Sequence, residues 1–361
     1  MDRTILMIHG MWSGGWVWEN YKDFFGNKRY ACITPTLKHH DINPDAPADY
    51  RLGTTSLRDY VDELEQLIHK LATPPILMGH SMGALIAQIL TGRGLAEATV
   101  LLAPAAPYGI MALRPSVVRT FLTSLIRWKF WSKPIRPTYS EASFGLLSLM
   151  PEHQRQSIYD RMVYESGRAA AEIGFWYFDP HQASKVDATT IKCPMLIMTG
   201  MKDRLTPASV IRKIVDKYQR NAVYHEFSNH AHWILAEPGW QTVAQTAMHW
   251  LDKVLESTPL SSSLCIEQRK YPRISFHAPM HFIGSDSDKR QPGELANYSI
   301  RGASFLSDVK LLKGTEINIE LLDCVPGFDG PKANDVCKAE VIWCAEKEDK
   351  THFDIGVRFY Q

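Results

Sequence analysis

The chain has 361 residues, with 40 basic and 39 acidic side chains and a net charge of +1. That balance excludes a protein that coats nucleic acid through a basic surplus and an acidic disordered chain. Hydrophobic residues make up 45% and charged residues 22%, ordinary values for a packed globular protein, and at roughly 150 residues per domain the length suggests about two domains.

The six cysteines, at positions 32, 193, 265, 324, 337 and 344, contain no CxxC pair. Neither a disulfide framework nor a zinc site is expected, and a reducing compartment fits. The apolar stretch Ile5 to Ile8 is too short for a signal-peptide core, and no apolar run approaches the ~18 residues of a membrane span. A cytoplasmic protein with no transmembrane segment is the expectation.

In chain order, short apolar runs bounded by Gly, Pro or polar residues read as buried parallel strands. They are Thr4–Ile8, Ala31–Thr34, Ile76–Gly79, Thr99–Leu102, Met195–Thr199 and Val223–Phe227. Between the second and third, Leu57, Val61, Leu64, Ile68 and Leu71 recur at helical spacing, and Ser56 with Asp59 spells a capping box. This alternation predicts a doubly wound α/β layer domain over residues 1–255. It is interrupted between about 105 and 190 by an aromatic-rich stretch with helical patterning, which includes Trp128, Phe130, Trp131 and Phe175 to Phe178. That stretch is too long for a loop and is expected to be an inserted lid. Residues 256–264 form a polar linker. Beyond it the period becomes two, at Ile274 and Phe276, at Ile317, Ile319 and Leu321, and at Phe353, Ile355, Val357 and Phe359. A small antiparallel β-barrel over residues 265–361 follows.

Gly79-His80-Ser81-Met82-Gly83 directly follows a predicted strand and directly precedes the apolar helical run Ala84 to Leu90. That is the strand–turn–helix setting of a nucleophile elbow, in which a tight turn lifts the Ser81 hydroxyl to a helix N-terminus. A base and an orienting acid should follow in the order acid, then histidine. Asp203 lies just past the strand Met195–Thr199, and His232 follows the last strand of the α/β domain. His230 is the alternative base, while Asp179 and Asp187 are less well placed alternatives to Asp203. The HxH pair could also bind a metal, but no further ligand cluster accompanies it. His9-Gly10-Met11 after the first strand brings the Met11 amide toward Ser81, and the Met82 amide is the second expected oxyanion donor. His9 is expected to fix this loop.

HGMWSGG, GHSMG, TGMKDRLTP and NHAHWILAEP together resemble the α/β-hydrolase family over residues 1–255. The resemblance implies a serine hydrolase of carboxylesterase or lipase type, acting on a small-molecule ester-like substrate through Ser81, His232 and Asp203 with no catalytic cofactor or metal. A serine at the elbow argues against the branches that use aspartate there. The chain begins almost on the first parallel strand, so the family's two leading antiparallel strands are not expected. C–C hydrolases and lyases use the same constellation.

Arg269-Lys270-Tyr271-Pro272-Arg273 is followed by Asn297-Tyr298-Ser299-Ile300-Arg301-Gly302 inside the small β-domain. The pair resembles the PilZ domain and implies binding of the bacterial messenger cyclic di-GMP. Guanidinium groups on Arg269 and Arg273 match phosphate oxygens and the guanine edge, and Asn297 and Ser299 add directional hydrogen bonds. Gly302 allows close backbone approach or a positive φ. The expectation is a cytoplasmic bacterial hydrolase, possible as an oligomer, regulated by the messenger. The alternative is a messenger receptor whose hydrolase half is a retired scaffold.

Overall fold

Strands buried on both faces need mostly apolar residues, and four segments of this chain supply them. The computed structural model describes residues 3–28, 30–218, 221–256, 274–284, 289–299, 302–321, 336–347 and 352–360, with backbone only at 256, 274–278, 298, 299 and 321. It divides into two compact units, residues 1–222 with 226–267 and residues 223–225 with 268–361. Beyond residue 256, the expected linker lies outside the described residues.

A parallel sheet is built of β1 (Thr4–Ile8), β2 (Ala31–Ile33), β3 (Ile76–His80), β4 (Ala98–Leu102), β7 (Met195–Gly200) and β8 (Ala222–Phe227), in the order β2-β1-β3-β4-β7-β8. Every residue of β3, β4 and β7 is buried, as are the last four of β1. The register pairs Ile5 with Ile76, Leu77 with Thr99 and Val100 with Leu196. Around the sheet run α1 (Glu19–Gly26), α2 (Leu57–Ile68), α3 (Met82–Gly92), α9 (Ala208–Lys217) and α10 (Trp240–Glu256).

The expected amphipathic helix is α2, which buries Leu57, Tyr60, Val61, Leu64 and Ile68. Burial of each large side chain contributes about 1.5–3 kcal/mol. The Ser56–Asp59 capping box is formed, with the Ser56 amide donating to Asp59 at 2.7 Å. The helix ends at Ile68, so Leu71 lies just beyond it. In contrast, α3 is buried from Met82 to Thr91, as a helix apolar on all sides must be.

Residues 105–190 contain α4 (Pro115–Thr120), α5 (Leu122–Leu125), α6 (Tyr139–Gly145), α7 (Glu152–Asp160) and α8 (Gly167–Gly174). The helical expectation missed a short antiparallel pair, β5 (Pro134–Ile135) with β6 (Glu165–Ser166). Two-residue strands are too short to show a period of two. Buried carboxylates fasten this insertion. Glu172 on α8 accepts from the Ser56 hydroxyl and the Leu57 amide at the start of α2, and from Arg168. Glu165 accepts from the Tyr60 hydroxyl at 2.8 Å and pairs with His40 at 3.0 Å. Burial disfavours the His40 imidazolium, but the Glu165 carboxylate more than offsets this, so its pKa is raised.

The second unit is an antiparallel barrel of β9 (Ile274–Gly284), β10 (Gln291–Ser299), β11 (Gly302–Ser307), β12 (Glu316–Leu321), β13 (Val336–Glu346) and β14 (Phe353–Phe359). The ladder runs β9-β10-β11-β14-β13-β12 and returns to β9, so the sheet closes on itself. Alternate side chains fill it, among them Phe282, Leu295, Phe305, Ile317, Ile319, Ile355 and Val357. Bulges between 295 and 297 and between 341 and 343 bend the strands, the usual way a sheet gains the curvature to close.

Candidate active site

Four strand ends deliver the first constellation, since catalytic groups on an open parallel sheet collect beyond the carboxyl ends of its strands. Ser81 sits between β3 and α3 with φ 54° and ψ −119°. For a residue with a Cβ this is a strained backbone, costing on the order of 1–3 kcal/mol, and it must be held by its surroundings. The glycines on either side make the hold possible. A Cβ at Gly83 would strike the Ile8 and His9 carbonyls, and one at Gly79 would strike the Gly83–Ala84 backbone.

The Ser81 hydroxyl lies 3.1 Å from His232 Nε2, and His232 Nδ1 lies 2.9 Å from Asp203 Oδ2. A carboxylate can only accept, so Nδ1 carries the proton and Nε2 is left to accept from Ser81. The Asp203 carboxylate also accepts from the Leu205 and Thr206 amides at 2.7 and 2.8 Å and from the Thr206 hydroxyl at 2.8 Å. Burial alone would raise its pKa, but His232 and Thr206 stabilise the anion, and the net shift is downward. All three side chains are buried.

The structure therefore brings Ser81, Asp203 and His232 together. His230 does not join them: it faces Glu237 and the Phe227 ring. Asp179 accepts amides from His181 and Ala183, and Asp187 caps the turn at Thr189, so both are occupied locally. Among the described residues no cluster of His, Cys, Asp and Glu is arranged to hold a metal ion.

Two supports escaped the sequence. Glu237, fully buried, accepts from the amides of Ala231 and Trp233 at 2.7 and 3.1 Å, and so clamps the backbone on both sides of His232. His80 donates from Nε2 to the His232 carbonyl at 2.8 Å, and burial, followed by the nearby His232, lowers its pKa to about 3, which keeps it neutral. Both act on main-chain groups, Glu237 within its own loop and His80 across the fold, and no residue pattern announces such contacts.

On the facing side, the Gly10 carbonyl accepts from His9 Nδ1 at 2.8 Å and from the Ser13 hydroxyl at 2.9 Å. His9 Nε2 accepts from the Leu37 amide at 3.0 Å, and burial, followed by His40, lowers the His9 pKa to about 3. His9 is thus the neutral strut of this loop. Because the peptide is trans and planar, anchoring the Gly10 carbonyl also fixes the direction of the Met11 amide. Neither the Met11 nor the Met82 amide has an acceptor among the described residues. Met11, Met82, Ser81 and His232 border one cavity with about 910 Å³ of empty space, including its open mouth. Its other walls are mostly apolar, including Val117, Phe121, Leu125 and Phe130 from the insertion, and among the described residues no Asp, Glu, Lys or Arg lines it.

In the barrel, Asn297 and Ser299 lie two residues apart near the end of β10, and Ser299 pairs with Gly302 at the start of β11. Gly302 has no positive φ. A Cβ there would strike the Val357 carbonyl, so the close approach is to β14. Arg269 and Arg273 lie outside the described residues.

The parallel sheet, with a strained serine turn between its third strand and the helix that follows, is the architecture of the α/β-hydrolase fold. The chain belongs to the alpha/beta hydrolase family, whose model matches residues 5–246, and it carries a PilZ domain over residues 267–361. Its fold is similar to that of a methylesterase from Arabidopsis (14% identity, TM-score 0.51, covering 71% of this chain and 100% of that one). It is also similar to a pyrethroid hydrolase from Sphingobium faniae (14%, 0.54, 70% and 99%) and to a monoacylglycerol lipase from Paleococcus ferrophilus (18%, 0.51, 69% and 94%). Comparison with curated protein sequences gives no significant match. No helix among the described residues is long and apolar enough to cross a membrane.

Proposed function

We propose that the protein is a serine hydrolase that cleaves an uncharged, apolar carboxylic ester and is regulated by cyclic di-GMP. The observation that carries the reading is the unbroken relay from Ser81 through His232 to Asp203, set on a strained turn at the floor of an uncharged cavity. His232 takes the Ser81 proton as the hydroxyl attacks the ester carbon. Asp203 holds the Nδ1 proton and stabilises the imidazolium. The Met11 and Met82 amides receive the developing oxyanion, and loss of one such donor typically costs about 3–4 kcal/mol in the barrier. His232 then protonates the leaving alcohol, and water, activated by the same imidazole, releases the acid. Apolar walls favour an acyl or aryl group over a charged one.

A fluorophosphonate probe is expected to label the parent at Ser81 and to leave Ser81→Ala unlabelled, with turnover of p-nitrophenyl esters lost alongside. A parent that neither labels nor turns over any ester returns the hydrolase half to the role of a scaffold.

The PilZ match and its arginine pair support the messenger reading. Calorimetry with cyclic di-GMP is expected to give heat with the parent and none with Arg269→Ala. Ester turnover with saturating messenger then tests regulation: unchanged kcat and KM would remove it. If substrate affinity changes, messenger affinity must change by the same factor in the presence of substrate.

A further inference from the structure

The segment that walls the cavity has a second face. Phe121, Leu125 and Phe130 point into the cavity beside Ser81, while Leu122, Ile126, Trp128 and Trp131 from the same stretch are exposed, Ile126 to 74% and Trp128 to 76%. Indole rings this exposed are uncommon on a protein that meets only water. Trp128 and Trp131 lie against each other, with ring centroids 6.1 Å apart. Val118, 38% exposed, both lines the cavity and reaches the surface, so the cavity wall emerges within this apolar face.

Along this stretch of chain the charged side chains have one sign. Between Glu97 and Glu141 the sequence has no acidic residue and six basic ones, Arg114, Arg119, Arg127, Lys129, Lys133 and Arg136. All but Arg136 are exposed. Arg119 stacks over Phe144 and Arg127 reaches the Pro134 carbonyl, but none of the five exposed cations is paired with a carboxylate among the described residues. Glu141 is turned inward, where it accepts from Thr123 and Thr138.

We propose that this exposed face of residues 114–133 is a docking surface for an anionic phospholipid bilayer. Tryptophans settle at the boundary between headgroups and acyl chains. Lysine and arginine stems lie along apolar surface while their charged ends reach the phosphates, and clustered cations concentrate on an anionic leaflet. A second copy of this chain is a poor occupant, because a two-fold contact would set five cations against the same five. Docked in this way, the protein would take an apolar substrate directly from the lipid phase into the cavity. The docking itself is independent of whether Ser81 is catalytic.

The test uses the full chain and sedimentation with vesicles of phosphatidylcholine alone or with about one third phosphatidylglycerol. Binding to the anionic vesicles, weakened by salt, is expected for both the parent and Ser81→Ala. The double variants Trp128→Ala with Trp131→Ala and Lys129→Glu with Lys133→Glu should each lose about tenfold or more in partitioning. Their turnover of a water-soluble p-nitrophenyl ester and their unfolding midpoint should be unchanged. If the tryptophan variant unfolds, the lysine variant, which alters only exposed charge, still decides. Failure of the parent to bind anionic vesicles, or undiminished binding by the lysine variant, would overturn the proposal. A parent dimer in sedimentation velocity that the tryptophan variant dissolves would also overturn it, in favour of a second copy.

Discussion

At the scale of single residues, His232, the proposed base, depends on groups outside the Ser81–His232–Asp203 relay as well as on Asp203. Its ring is oriented by Asp203, but its backbone is set by Glu237, which grips the amides on either side, and by His80, which grips its carbonyl. A displacement of about 1 Å at a catalytic base can cost on the order of 10²-fold in rate. Glu237→Ala is therefore expected to lower kcat by roughly that factor with KM little changed, as steady-state kinetics on a p-nitrophenyl ester would show. Ser81, Asp203 and His232 could be chosen from the sequence because each follows a recognisable strand and carries the right chemistry. Glu237 could not: it acts through two main-chain contacts within a loop, and the sequence shows only a glutamate before a proline.

Among the secondary-structure elements, legibility followed length and burial. The six parallel strands were visible to within a residue or so at each end: β1, β3, β4 and β7 because burial on both faces demands mostly apolar residues, and the less buried β2 and β8 because polar or Pro residues bound them. The insertion was visible only as a helical region. Its helices span four to nine residues and its strands two, too little chain for a period to repeat. Side-chain contacts to other elements hold it instead, chiefly Glu172 against the N-terminus of α2 and Glu165 against Tyr60 and His40. Glu172→Ala strips the Leu57 amide and the Ser56 hydroxyl of a buried anionic acceptor. It should destabilise the protein by about 2 kcal/mol in urea titration.

For the molecule as a whole, acid is the weak direction. His9 and His80 are held neutral, with pKa values near 3, by burial first, whereas in an unfolded chain histidine titrates near 6.5. Between those values the unfolded chain binds more protons, so stability falls as pH falls below about 6.5. Asp203, shifted down, acts in the same sense: its contribution is lost as pH drops through its folded value. His40, shifted up by Glu165, acts in the opposite sense, stabilising below about 6.5 and losing that contribution as pH rises through its folded value. Asp203 acts only below about pH 4, so between pH 7 and pH 5 two strongly depressed histidines oppose one raised histidine. At pH 5 the loss is on the order of 2 kcal/mol for each of His9 and His80. Nine of the ten tryptophans precede residue 257, so thermal unfolding followed by tryptophan fluorescence reports this unit. Its midpoint should drop by several degrees between pH 7 and pH 5. The two-unit composition and the barrel were legible from the change of period near residue 256, whereas the order in which the barrel strands pair was not, because pairing is decided by contacts distant in sequence.

The uncharged lining of the cavity also bears on how a catalytic cycle ends. The proposed ester cleavage would turn a neutral guest into a carboxylate, and among the described residues no lysine or arginine borders the cavity to receive it. A buried anion without a counter-ion is strongly disfavoured, so under the proposed activity the freshly made acid would be driven out toward water while the next neutral molecule enters. Such a chamber would clear itself, and accumulating fatty or aryl acid would compete poorly with fresh ester for the space it has left.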